Sequence, residues 1–222
     1  GSWTKMSGTT FSASQGDLPW GVAAHGSDLY VVNCVTAPDG TRAVWKYTSS
    51  TTAWTDITDG HPFHQPQGIA VDSSGIVYVT DTGGGTVVKL PAAAVIDGAD
   101  SWAVIGHAGW DGGAYFEQPI GIAVDSSNNL FVTDYTNAGG GPGEQYQGEV
   151  YELPNGSTSW LGSFGVTAGE RATGIAVYGG NIYANFGTYM WVKPVDSVVP
   201  AVGRIRGSPS AFQLLYGMAI DS

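Results

Sequence analysis

Apolar residues fall along this chain in short bursts, and Gly, Ser, Asn and Asp separate one burst from the next. Residues 76–81 and 86–90 are representative: Val, Ile, Tyr and Thr dominate, and no helical period runs through them. Bursts of this length and make-up predict strands joined by tight turns. Four of them follow one another in a fixed order. In the clearest set they cover 68–71, 76–81, 86–90 and 102–105. The second piece recurs at 29–33, 130–134 and 182–185, and the third at 43–47, 149–153 and 190–193. The fourth recurs at 53–57 and 159–164, and less clearly at 201–205.

The order is fixed because the chain repeats itself. Gln65-Pro66-Gln67-Gly68-Ile69-Ala70-Val71-Asp72-Ser73-Ser74 returns as Gln118-Pro119-Ile120-Gly121-Ile122-Ala123-Val124-Asp125-Ser126-Ser127. Looser copies surround Gly21, Gly174 and Gly217. The marker glycines Gly21, Gly68, Gly121, Gly174 and Gly217 are 47, 53, 53 and 43 residues apart. That spacing matches one four-stranded antiparallel sheet per repeat. A lone sheet of this size leaves both faces bare, and packing such sheets around an axis covers them. The expected fold is therefore all-β: a single β-propeller domain over 1–222, with blades starting near 18, 65, 118, 171 and 214. A β-sandwich would need no repeating Gly-Ile-Ala-Val segment.

Four full repeats are followed by a partial fifth. A first strand is expected at 217–221, and Trp3-Thr4-Lys5-Met6 matches the fourth-strand segment Trp54-Thr55-Asp56-Ile57. Two readings follow: the chain is a fragment of a larger propeller, or another chain completes it, which would make a homo-oligomer through the incomplete blade. Gly1-Ser2 reads as a cloning scar, which leaves a native targeting segment open.

Composition narrows the partners. Eight basic residues stand against 19 acidic ones, for a net charge of −11. With no basic cluster beyond Arg204 and Arg206, the chain is not expected to bind nucleic acid or anionic lipid. No apolar run is long enough for membrane insertion as a helix. One cysteine, Cys34, excludes an internal disulfide; Cys34 reads as a small packing residue at a strand end.

The run from Pro66 to Asp81, followed by Gly84-Gly85-Thr86-Val87-Val88-Lys89-Leu90, resembles the NHL-repeat family. Residues 118–153 repeat it with a long insertion; the first and fourth repeats depart from it, with Ala24-His25 and Val177-Tyr178 at the Val-Asp step. The likeness is to extracellular, sensor-type NHL propellers. It implies a propeller and an extracellular or cell-envelope setting. It leaves activity open, because the family includes binding proteins and lyases.

Within such a fold, the loops from fourth to first strands share a face with those from second to third. The second-to-third loops at 34–42 and 135–147 are long and irregular, the usual place for binding on a rigid scaffold. Four residues before the marker glycines stand Asp17, His64, Glu117, Glu170 and Gln213; one residue before stand Trp20, Gln67, Ile120, Thr173 and Tyr216. Both columns enter the inner strand at the channel mouth. Trp20, His64, Gln67, Glu117, Ile120, Glu170, Thr173 and Tyr216 are thus the candidate contacts for a protein, peptide or glycan ligand. The alternative is a solvated ring, with Trp20 and Tyr216 packed between blades. Asp81, Asp134 and Asn33 end second strands, and Asp72 and Asp125 occupy short turns. All are expected to hold turns through backbone hydrogen bonds.

A metal-dependent lyase or hydrolase is the rival reading, with His64, His107, Glu117, Asp81 and Asp134 as candidate ligands for zinc or calcium. No serine-nucleophile elbow, zinc-binding helix or phosphate loop is present. The expected function is non-catalytic ligand binding with no cofactor. A third reading is a structural or engineered fragment that assembles by blade complementation.

Overall fold

The computed structural model describes residues 19–33, 43–107, 116–136, 147–167, 171–187, 189–195 and 204–206. All regular structure among them is strand. The first sheet comprises β1 (Pro19–His25), β2 (Asp28–Asn33), β3 (Val44–Thr48) and β4 (Ala53–Asp56). The second comprises β5 (Pro66–Val71), β6 (Val77–Asp81), β7 (Thr86–Leu90) and β8 (Ala103–His107). The third comprises β9 (Pro119–Val124), β10 (Leu130–Thr136), β11 (Gln147–Leu153) and β12 (Leu161–Thr167). The fourth comprises β13 (Ala172–Tyr178), β14 (Asn181–Phe186), β15 (Tyr189–Pro194) and β16 (Arg204–Arg206). Each sheet is an antiparallel meander in chain order. The expected fifth first strand at 217–221 and the segment 3–6 lie outside the described residues.

The first strands β1, β5, β9 and β13 pack one against the next, so the sheets are blades set side by side. Side chains alternate between the two faces of a strand, and each face of an inner blade meets a different neighbour. Three cores result. Tyr30 and Val32 of the first blade meet Ile69, Val79 and Val88 of the second. Ala70 and Val87 meet Ile122, Val132 and Tyr151 of the third. Phe131 and Val150 meet Ile175, Ile182 and Phe186 of the fourth.

The marker glycine is explained by this packing. A Cβ on Gly21 would stand 2.5 Å from the Gln67 carbonyl oxygen, and one on Gly121 would stand 3.1 Å from that of Thr173. On Gly68 it would collide with the Ile120 carbonyl oxygen. The carbonyl one residue before each glycine thus presses on the glycine of the preceding blade, and only a residue without a side chain leaves room.

Polar bonds fix the same interfaces. The Thr80 hydroxyl accepts from Gly68 N–H at 2.8 Å and donates to the Ile120 carbonyl of the next blade at 2.7 Å. The Trp102 indole N–H donates to the Ile57 carbonyl at 3.1 Å, and that of Trp160 to the Ile105 carbonyl at 2.6 Å. Both tryptophans stand just before the fourth strand of their blade, and β12 begins at Leu161 rather than at Ser159. Thr80→Val keeps the shape but strands two backbone groups. It is expected to cost about 2 kcal/mol, read from the urea midpoint at unchanged m-value. An unmoved midpoint would show that the inter-blade bond contributes nothing.

Blade 1 keeps one face uncovered by another described blade. Val22 is 68% exposed and Trp20 45%, whereas Ile69, Ile122 and Ile175, which follow their marker glycines as Val22 follows Gly21, are each buried against the blade before.

Candidate functional site

Two buried carboxylates organise the face where fourth-to-first connections enter the inner strands. Asp81 ends β6, and both its oxygens accept from His64 N–H at 3.0–3.1 Å, while Oδ1 also accepts from Gln65 N–H at 2.7 Å. Asp134 takes the equivalent bonds from Glu117 N–H at 3.2 Å and Gln118 N–H at 2.9 Å. The sequence suggests that these aspartates hold the turn after them. Their carboxylates instead hold the chain 16 and 17 residues before them. Asp72 and Asp125 do hold their own turns, each accepting from two backbone N–H groups just ahead.

A second bond repeats in three blades. Thr82 N–H donates to the Gln65 carbonyl, Tyr135 N–H to that of Gln118, and Gly187 N–H to that of Arg171. The entry to the inner strand is therefore clamped by side chain and backbone together. Blade 4 has the buried Phe186 where blades 2 and 3 have aspartate, so it keeps only the backbone clamp.

The β6–β7 turn shares this face. A Cβ on Gly84 would meet Asp81 Oδ2 at 2.7 Å, and one on Gly85 would meet the Phe116 and Glu117 carbonyl oxygens at 3.3 Å. Gly85 also has φ of 61°, a left-handed conformation that favours glycine. The bare glycine turn thus lies between the His64 stretch and the Glu117 stretch. Thr82 Oγ1 extends the link by donating to the Pro119 carbonyl at 2.6 Å.

What projects from the clamps is polar and differs between blades. His64 and Gln65 are exposed, Glu117 and Gln118 are half-buried, and Arg171 is exposed. The His64 ring lies 3.4 Å from Asp81 Oδ2. The Arg171 guanidinium donates to Gln118 Oε1 at 3.4 Å and stands 5.3 Å from the Tyr135 ring centre. Gln118, Tyr135 and Arg171 were not among the candidates from sequence. The signal was the column three residues before each marker glycine, where Gln65, Gln118 and Arg171 stand.

The other candidates are distributed as follows. Gln67, Ile120 and Thr173 are buried at the starts of β5, β9 and β13. Trp20 is partly exposed on β1. Asp17, Glu170, Gln213, Tyr216 and Cys34 lie outside the described residues, as does most of each long second-to-third loop. Of the candidate metal ligands, His64 and Asp81 adjoin, and Glu117 meets Asp134 through its backbone. His107 ends β8 opposite Thr86. Among the described residues no three His, Cys, Asp or Glu side chains gather as a metal site would require. His61 pairs with Asp100, at 3.0 Å, beside Phe63.

Acidity is perturbed at this face. Burial pushes the Asp134 carboxyl up to about 7, against the pull of the Glu117, Gln118 and Tyr135 amides and with a smaller push from Glu149. Glu149 lies directly across the β10–β11 ladder from Asp134 and accepts from the Tyr151 hydroxyl.

Comparison with known proteins agrees with this architecture. The NHL repeat matches residues 63–90, the stretch that enters, forms and leaves the inner half of blade 2. Among solved structures, a streptogramin B lyase shares 11% identity over 79% of this chain, with a TM-score of 0.58. The alignment spans about half of that lyase chain, 51%. A nidogen/laminin complex structure shares 14% identity over 90% of this chain and 84% of the other, with a TM-score of 0.45. No curated protein matches in sequence. Residues 63–90 of the second blade match the NHL-repeat model, and the described residues form a β-propeller array of four four-stranded blades.

Proposed function

We propose that this chain is a non-catalytic binding module that holds a protein, peptide or glycan on the face carrying His64, Gln65, Glu117, Gln118 and Arg171. One observation supports it above the rest. In blades 2 and 3 a buried aspartate fixes the backbone of two adjacent residues whose side chains reach the surface and differ from blade to blade. A constant frame with variable polar display suits recognition, because little ordering cost remains to be met on binding. Trp20 and the −1 residue Tyr216 complete the expected contact set, together with Glu170. The resemblance to sensor-type NHL propellers supports an extracellular or cell-envelope setting.

Amide-resonance titration with a panel of short peptides and neutral oligosaccharides tests this. Ligands are expected to shift residues 64–65, 83–85, 117–118 and 171. Glu117→Ala combined with Arg171→Ala is expected to weaken binding roughly tenfold or more, the loss of charge-assisted hydrogen bonds. Shifts confined to the opposite turns at 72–75 and 125–128, or an affinity untouched by the double substitution, would refute the assignment.

A further inference from the structure

The outer face of blade 4 is built to receive another inner strand. Ile175, Val177, Ile182, Ala184 and Phe186 turn toward blade 3. By alternation Ala176, Tyr183 and Asn185 turn the other way. Asn185 is 1% exposed, and among the described residues neither its Oδ1 nor its Nδ2 has a hydrogen-bond partner. A buried amide in that condition is costly unless a partner reaches it. Its place in the blade identifies the partner. Asn185 stands where blade 2 has Thr80, as the last residue but one of the second strand. Thr80 reaches the carbonyl that precedes the marker glycine of the next blade.

Gly174 makes the same point independently. In blades 1 to 3 the marker glycine makes room for that incoming carbonyl. Blade 4 keeps the glycine and follows it, two residues on, with the small Ala176, as Ala70 follows Gly68.

We propose that residues 215–221 of this chain occupy this face as a fifth inner strand, with the Asn185 side chain donating to the Tyr216 carbonyl and Met218 filling the position that Ile69, Ile122 and Ile175 fill elsewhere. Tyr216-Gly217-Met218-Ala219-Ile220-Asp221 carries each column of the inner strand. The connection also fits. Eight residues separate Arg206 from Leu215, where four to eleven separate the fourth strand from the next first strand in the other repeats. Blade 1 is not the occupant, because its Val22 is exposed rather than buried on another blade.

Hydrogen exchange on the full chain and on Met218→Asp tests this. Amides of 174–177 and 182–186 are expected to exchange about tenfold faster in the variant, while those of Val79 and Val88 are unchanged. Equal exchange in both proteins overturns the proposal. A second measurement covers the case in which Met218→Asp loosens the whole fold. Asn185→Cys with Met218→Cys, in a Cys34→Ser background, is treated with a short bis-maleimide. A crosslink within one chain, at monomer mass, supports the proposal. A crosslink between two chains, or none, overturns it, the former in favour of a second copy seated on this face.

Discussion

Gly68→Ala is expected to destabilise the protein by about 3 kcal/mol, while Gly162→Ala leaves it within about 0.5 kcal/mol. The two changes add the same methyl group and differ only in what it meets. At Gly68 the new Cβ falls on the Ile120 carbonyl, 2.7 Å from Thr80 Oγ1 and 3.0 Å from an Ile122 methyl. The carbonyl belongs to the next blade's backbone, and it already accepts from Thr80. Relief therefore requires two blades to part, with loss of contacts in the core of Ala70, Val87 and Ile122. At Gly162, on the exposed edge strand β12, nothing lies within 4 Å. Urea unfolding of the two variants decides the matter. Equal midpoints would mean that the marker glycine serves the turn or the strand and not the blade interface.

That glycine also shows what the sequence could and could not convey. Its recurrence, with the Ile-Ala-Val that follows, was enough to place every strand of the four described blades to within about three residues, since alternation and turn residues are local properties. Its physical reason was not legible, because the atom that excludes a side chain lies some 50 residues away in the next repeat. The same limit applies to the aspartates. Asp81 and Asp134 read as turn residues because they precede turns, yet their carboxylates bond amides earlier in the chain. The tryptophans hid in the fourth-strand segments, where they look like ordinary strand residues; their indole N–H groups bind the preceding blade.

For the candidate site, the column four residues before the glycine was visible as uniformly polar, and His64 and Glu117 do flank the glycine turn of blade 2. The column one residue before it looked equally suited to ligands, but Gln67, Ile120 and Thr173 are buried. The backbone carbonyls of Gln67, Ile120 and Thr173 do the inter-blade work, so the side chains at these three positions are free to vary as long as they pack. Variation in a column therefore has two physical origins here, display to solvent and tolerance in packing, and only the three-dimensional setting separates them.

Asp134→Asn is expected to reverse part of the protein's pH response. Asp81 and Asp134 perform the same bracing, but across the ladder Asp81 faces Thr86 and Asp134 faces Glu149. Burial, the larger cause, and this neighbouring acid lift the Asp134 pKa from 3.8 to about 7. Between those values the folded protein holds a proton that the unfolded chain has released, so stability falls as pH rises. The favourable contribution is complete below about pH 4 and is lost on passing pH 7. Three pH units of separation correspond to about 4 kcal/mol. An asparagine at 134 cannot titrate, and its Nδ2 is donor-only and would face one of the two backbone N–H groups, where the hydroxyl oxygen of the neutral acid can still accept. The variant should therefore be the weaker protein at pH 4 and gain on the wild type by about 4 kcal/mol by pH 8. Urea unfolding at pH 4, 6 and 8 measures the difference directly. A difference that stays constant across this range would show that Asp134 is ionised in the folded protein throughout, held so by the amides it braces.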